Sequence, residues 1–111
     1  MSYRVYVISL KKEVLKSKKF RNANPNYVEG KPCYYVGITS KKDVTERALQ
    51  HKNAVRNEKG PLYSKIANKY YNGLTKKYSS LKPVRFKKQA MNLEENVANQ
   101  LKAKECGVWW N

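Results

Sequence analysis

The sequence predicts a single α+β domain, on three observations. Two short runs rich in β-branched and aromatic residues, 3–8 and 32–37, read as strands. Two later segments carry their inward residues at spacings of 4, 3 and 4, the stripe of an amphipathic helix. A length of 111 residues supplies one modest core and not two, so residues 1–111 form one unit.

The elements follow in order. Tyr3, Val5, Tyr6, Val7 and Ile8 make the first strand. From residue 10 to residue 32 the pattern lapses into a basic insertion holding Lys11, Lys12, Lys16, Lys18, Lys19, Arg21 and Lys31. With its turn-rich Asn22, Asn24, Pro25 and Asn26, this segment reads as a long, partly ordered hairpin connection, and connections of that length are functional or mobile. Residues 32–37 form a second strand able to pair antiparallel with the first, ending in a turn at Gly37. Asp43 followed three positions later by Glu46 resembles a capping box and starts a helix over 44–56, with Val44, Ala48, His51 and Val55 inward. Gly60 and Pro61 break the chain before a second helix over 62–71, with Leu62, Ile66 and either Ala67 or Tyr70 inward, which Asn72 and Gly73 end. Residues 78–86 read as extended, with Pro83 marking an edge or a bulge. A last helix over 89–104 carries the stripe Ala90, Glu94, Val97 and Leu101, and Gly107 stops it before a short apolar segment.

Charge is the strongest compositional signal. Twenty-four Lys and Arg face 8 Asp and Glu, a formal net charge of +16, and an excess of that size answers to a polyanion, most often nucleic acid. No apolar run is long enough to span a bilayer and none has the flanks of a secretion signal, so the expected setting is cytoplasmic or nucleoid-associated, with no membrane partner. Cys33 and Cys106 with one histidine fall short of the usual four-ligand zinc set. They read as free thiols in a reducing compartment, and a disulfide between them is a question of distance.

Two helices each place an ionisable residue within an apolar stripe: His51 in the first, Glu94 in the last. Arg47 precedes His51 by one helical turn, so the two can act on one small object, and in so basic a chain that object is a phosphate. A carboxylate facing a core is costly unless it is paired, protonated or metal-bound. Glu94 therefore suggests a one-carboxylate Mg²⁺ site, since Mg²⁺ keeps several waters and takes other ligands from substrate phosphate. Mn²⁺ would substitute.

Val5-Tyr6-Val7, then Tyr35-Val36-Gly37 with Thr39, then Arg47 with His51, then Glu94 within Leu93-Glu94 and Val97-Ala98 resemble the motifs of the GIY-YIG nucleases in their usual order. The likeness runs from Tyr3 to Trp109. It departs from the family in the first tripeptide and in the 29-residue separation of Tyr6 and Tyr35, which the basic insertion lengthens. The resemblance implies a small antiparallel sheet of about three strands flanked by helices, and Mg²⁺-dependent hydrolysis of phosphodiester bonds, DNA most of all. By the same resemblance Glu94 would hold the metal and Arg47 would clamp the scissile phosphate. Tyr6 would deprotonate or position the attacking water, and Tyr35 and His51 would complete the hydrogen-bonding set. Asn111 or Asn99 would stand for the family's late polar residue.

The insertion's Lys11, Lys12, Lys16, Lys18, Lys19 and Arg21, together with Lys41, Lys42 and Lys52, are the expected nucleic-acid contacts. They are phosphate contacts, which read no sequence, so a targeting partner or a dimer is expected as well. Plainer readings stand beside these. The tyrosines suit strand packing, the lysines suit a solvated loop, and Glu94 with Arg47 suits a structural ion pair. A non-catalytic basic nucleic-acid-binding module is the alternative function.

Overall fold

The computed structural model describes residues 2–79 and 82–110. Its centre is a four-stranded mixed sheet in the order β5 (Tyr71–Leu74), β1 (Arg4–Leu10), β2 (Cys33–Thr39), β6 (Gly107–Trp110). Strand β1 pairs antiparallel with β2, Tyr6 opposite Gly37, and antiparallel with β5 on its other side. Strand β6 pairs parallel with β2, Tyr35 opposite Trp109.

The expected three-stranded antiparallel sheet is thus corrected in two places. The apolar segment after Gly107 is a fourth strand, and it runs parallel because the long helix α5 (Lys87–Ala103) carries the chain back across the sheet. The antiparallel edge strand is β5; of the expected extended segment 78–86, helix α4 (Lys76–Ser79) takes the first two residues, 80 and 81 lie outside the described residues, and Val84 makes an isolated bridge to Tyr3.

The insertion at 10–32 is folded where a loop was expected. A 3-10 turn (Lys12–Lys16) and helix α1 (Lys18–Ala23) occupy it, and each lays one apolar residue, Val14 and Phe20, fully into the core. Between lysines a single apolar residue per turn is enough to dock a short helix while leaving the charges in water. Asn24 follows, buried, and its side-chain amide makes a two-way pair with the backbone of β6. Its Nδ2 donates to the Val108 carbonyl at 3.0 Å and its Oδ1 accepts from the Val108 N–H at 2.8 Å.

Helix α2 (Val44–Lys52) stops four residues before the predicted end, and just beyond its cap Ala54 turns the chain with a φ of 51°. Asp43 caps it by accepting from the Thr45 N–H at 2.9 Å, while Glu46 pairs with Lys41 at 3.1 Å instead of completing a capping box. The segment 62–71 holds only the short helix α3 (Lys65–Lys69), capped by Ser64 and preceded by a two-residue hairpin of β3 (Arg56–Asn57) and β4 (Gly60–Pro61). The last helix begins two residues earlier than predicted, and its stripe Ala90, Glu94, Val97 and Leu101 is buried as expected.

The sheet separates two apolar clusters. Tyr6, Ile8, Leu10, Cys33 and Tyr35 face α1, α2 and α3, whereas Val5, Val7, Val36 and Val108 face α5. Cys33 belongs to the first cluster and Cys106 to the second, and both are free thiols. No helix among the described residues is long and apolar enough to cross a membrane.

Candidate active site

Tyr6 and Tyr35 rise from the same face of adjacent strands, and α2 lowers His51 between them. The ring centroids lie 6.2 Å apart for Tyr6 and Tyr35, 5.8 Å for Tyr6 and His51, and 5.0 Å for Tyr35 and His51. Gly37 makes this possible. It sits in the middle of β2 and not in a turn, directly opposite Tyr6, and a Cβ there would stand 2.5 Å from the phenol oxygen. The glycine's role is clearance for that ring.

The hydrogen bonds fix the histidine's tautomer. The Ser64 N–H, at the start of α3, donates to His51 Nδ1 at 2.9 Å, so Nδ1 is unprotonated. The neutral ring then carries its proton on Nε2 and donates it to the Tyr6 hydroxyl at 2.7 Å. The Tyr6 hydroxyl is linked onward to that of Tyr35. Burial, reinforced by the positive charge of Arg47, lowers the His51 pKa to about 4, so the ring is neutral at physiological pH. Burial also pushes the Tyr6 phenol well above the usual tyrosine range.

Arg47, half-buried on α2, is held by Gln50 at 3.0 Å and by the Leu62 carbonyl, and its charge acts on Tyr6 and His51. It lines an open cleft of about 510 Å³ at the end of the sheet where Arg4 pairs with Thr39. Lys41 and Lys87 line the same cleft.

Glu94 on α5 is 6 % exposed, and among the described residues it makes no hydrogen bond or ion pair. Its negative charge acts on the Tyr6 phenol, as does the positive charge of Arg47, which places all three in one electrostatic neighbourhood. Burial lifts its pKa to about 7. The structural ion pair between Glu94 and Arg47, a plain reading of the sequence, is therefore not formed. No three His, Cys, Asp or Glu residues gather among the described residues, so an all-protein metal cage is out of reach. A lone buried carboxylate without a protein partner does fit Mg²⁺, whose remaining ligands are waters and phosphate oxygens.

Tyr6, Tyr35 and His51 are thus packed together, and the charge of Arg47 acts on Tyr6 and His51. Glu94 stands on α5, which covers the other face of the sheet, and acts on Tyr6 through its charge alone. The expected nucleic-acid contacts do not gather there. Lys11, Lys12, Lys16, Lys18, Lys19 and Arg21 are exposed at the opposite end of the sheet, where Leu10 pairs with Cys33. Arg21 donates to the Leu15 carbonyl at 2.8 Å, and Lys19 lies 5.4 Å from the Trp109 ring centroid. Lys41 borders the cleft with part of its charge taken by Glu46, Lys42 is exposed in the β2–α2 turn, and Lys52 lies over Tyr71. Asn99 is exposed on α5, and Asn111 lies outside the described residues.

Two contributors escaped the sequence reading. Lys87 stands two helical turns before Glu94, and that spacing of seven could have found it. Ser64 orients His51 through its backbone N–H, and only its place as an N-cap was available as a signal. Compared with known proteins, the chain matches no family model, no curated protein and no solved structure.

Proposed function

We propose that this chain is a metal-dependent endonuclease of the GIY-YIG type that hydrolyses DNA phosphodiester bonds. The observation that carries the reading is Glu94: a buried carboxylate without a protein partner among the described residues, whose charge acts on the Tyr6 phenol of a pre-built tyrosine–histidine network. A pure binder has no need of that carboxylate.

Arg47 meets the scissile phosphate in the cleft and offsets the charge that grows on its oxygens, the largest contribution in such reactions. Glu94 would hold Mg²⁺, which would supply polarisation of the phosphoryl group and of the leaving oxygen. The Ser64 N–H fixes the His51 ring, and the His51 Nε2–H is aimed at the Tyr6 oxygen. In this tautomer His51 has no free lone pair to take the Tyr6 proton. Tyr6, kept neutral by burial, therefore acts by hydrogen bonding, as a group that orients the attacking water, and not as the base that deprotonates it.

The test is incubation of supercoiled plasmid with Mg²⁺ or Mn²⁺. Nicking that disappears in Glu94→Gln, with DNA binding retained, is the expected result. A second readout is the melting temperature: Mg²⁺ raises it in the wild type and not in Glu94→Gln. Absence of cleavage of every DNA form with both metals overturns the reading.

That outcome would leave a non-catalytic nucleic-acid-binding module. One observation favours this second reading: Tyr6, Tyr35 and His51 are only 1 %, 2 % and 0 % exposed, closer to core packing than to an open catalytic wall.

A further inference from the structure

The insertion creates a second basic hollow, of about 480 Å³, where β1 ends and β2 begins. Lys11, Lys12 and Lys31 line it with Ser9 and Asn72, and Glu13 is the one acid among its lining residues. All three lysines are exposed, and none is in an ion pair among the described residues. The hollow includes the pair Leu10–Cys33, and the Arg47 cleft adjoins the pair Arg4–Thr39. Six residues of strand separate the two, about 20 Å at the usual rise per residue.

Both hollows sit on one rigid sheet, so their separation is fixed. A duplex rises about 3.4 Å per base pair, and about six base pairs therefore match the distance. A single strand fits this arrangement less well. It is gripped by aromatic side chains on which bases stack, and the insertion hollow has none while the cleft has only Tyr3. Resting on the nuclease reading of the cleft, we infer that the hollow of Lys11, Lys12 and Lys31 is a second phosphate-binding surface. The substrate is then double-stranded DNA extending at least about six base pairs to one side of the phosphate held at Arg47.

The experiment is equilibrium binding of fluorescein-labelled duplexes of about 5 to about 24 base pairs to the Glu94→Gln variant, which reads contact apart from cleavage. Affinity is expected to step up by about tenfold once a duplex spans both hollows, beyond the gradual gain from extra binding positions, and the salt slope to steepen by about 2 to 3. Adding Lys11→Glu, Lys12→Glu and Lys31→Glu should remove the step. A matched reversal of Lys69, Lys76 and Lys104, exposed elsewhere, should keep it. A smooth length dependence, or a step that survives the hollow's reversal, overturns the inference. Cleavage without the step would leave the nuclease reading standing and this inference fallen; a step without cleavage by the wild type would do the reverse.

Discussion

Gly37→Ala tests the most specific geometric claim about the site. The added Cβ would meet the Tyr6 oxygen at 2.5 Å and its Cζ at 2.6 Å, distances no real contact shows. Tyr6 has nowhere to retreat, since it is 1 % exposed and its hydroxyl is held at 2.7 Å by His51. Overpacking of this kind costs about 1–3 kcal/mol, and displacing the phenol from His51 removes a buried hydrogen bond worth about 1 kcal/mol. Stiffening of the unfolded chain by alanine offsets about 0.5 kcal/mol. The net loss is about 1.5–3.5 kcal/mol, read by chemical denaturation. Gly107→Ala is the control, because its Cβ would meet Phe20 ring carbons at 2.8 and 2.9 Å, at the insertion end of the same sheet. Both variants should lose comparable stability, while only Gly37→Ala should move the His51 ring resonances and abolish nicking. In the Tyr6→Phe background the cost of Gly37→Ala should fall by only the hydrogen-bond part, about 1 kcal/mol, because Cζ still meets the added Cβ at 2.6 Å. A loss below about 0.5 kcal/mol, or equal effects of the two glycine variants on His51, would refute the close-approach argument.

Three further outcomes follow from the same packing. Glu94 has its pKa raised from 4.5 to about 7, so its contribution is most favourable below pH 4.5 and is lost as pH rises through about 7. Metal-free Glu94→Gln should therefore gain stability over the wild type between about pH 5 and pH 8, by at most about 3 kcal/mol and nearer half that after screening by water. His51 has the opposite sign: lowered from 6.5 to about 4, it supports the fold above pH 6.5 and ceases to as pH falls through about 4. The two slopes oppose each other in the wild type, so acid titration should destabilise Glu94→Gln more steeply than the wild type, as followed by circular dichroism. Phe20→Ala should cost about 3–5 kcal/mol in denaturant titration, because its ring is fully buried; a loss near zero would mean that the insertion is not part of the core.

The parts of the fold legible in the sequence were those with a long period. The stripes through Ala48 and His51, and through Ala90, Glu94, Val97 and Leu101, are buried as their spacing requires. The packing of Tyr6, Tyr35 and His51 was legible for the same reason, since each lies on a strand or helix whose inward face the pattern fixes; which face of the sheet the helix of Glu94 would cover was not. Short elements escaped. Helix α1 and the 3-10 turn show one buried residue each among five lysines and arginines, too few to make a period. Strand β5 was hidden because Asn72 and Gly73 carry turn chemistry, yet its pairing with β1 overrides that local preference. The parallel strand β6 could not be read at all, because its four residues gain their conformation only from β2.

The amide of Asn24 has a consequence for how this domain can change. It occupies, with one side chain, the backbone positions at Val108 that another strand would otherwise use on the outer edge of β6. An open edge of that kind recruits a second chain, so the insertion shields the sheet from self-association as well as displaying charge. Its residues therefore have unequal freedom. Lys11, Lys12, Lys16 and Lys18 are exposed and can vary with whatever the surface binds, whereas Val14, Phe20 and Asn24 tie the segment to the fold. A shortened chain lacking 11–31 would stay basic yet lose Val14 and Phe20 from its core and uncover the edge of β6, which makes the insertion a structural element of the domain and not a detachable arm.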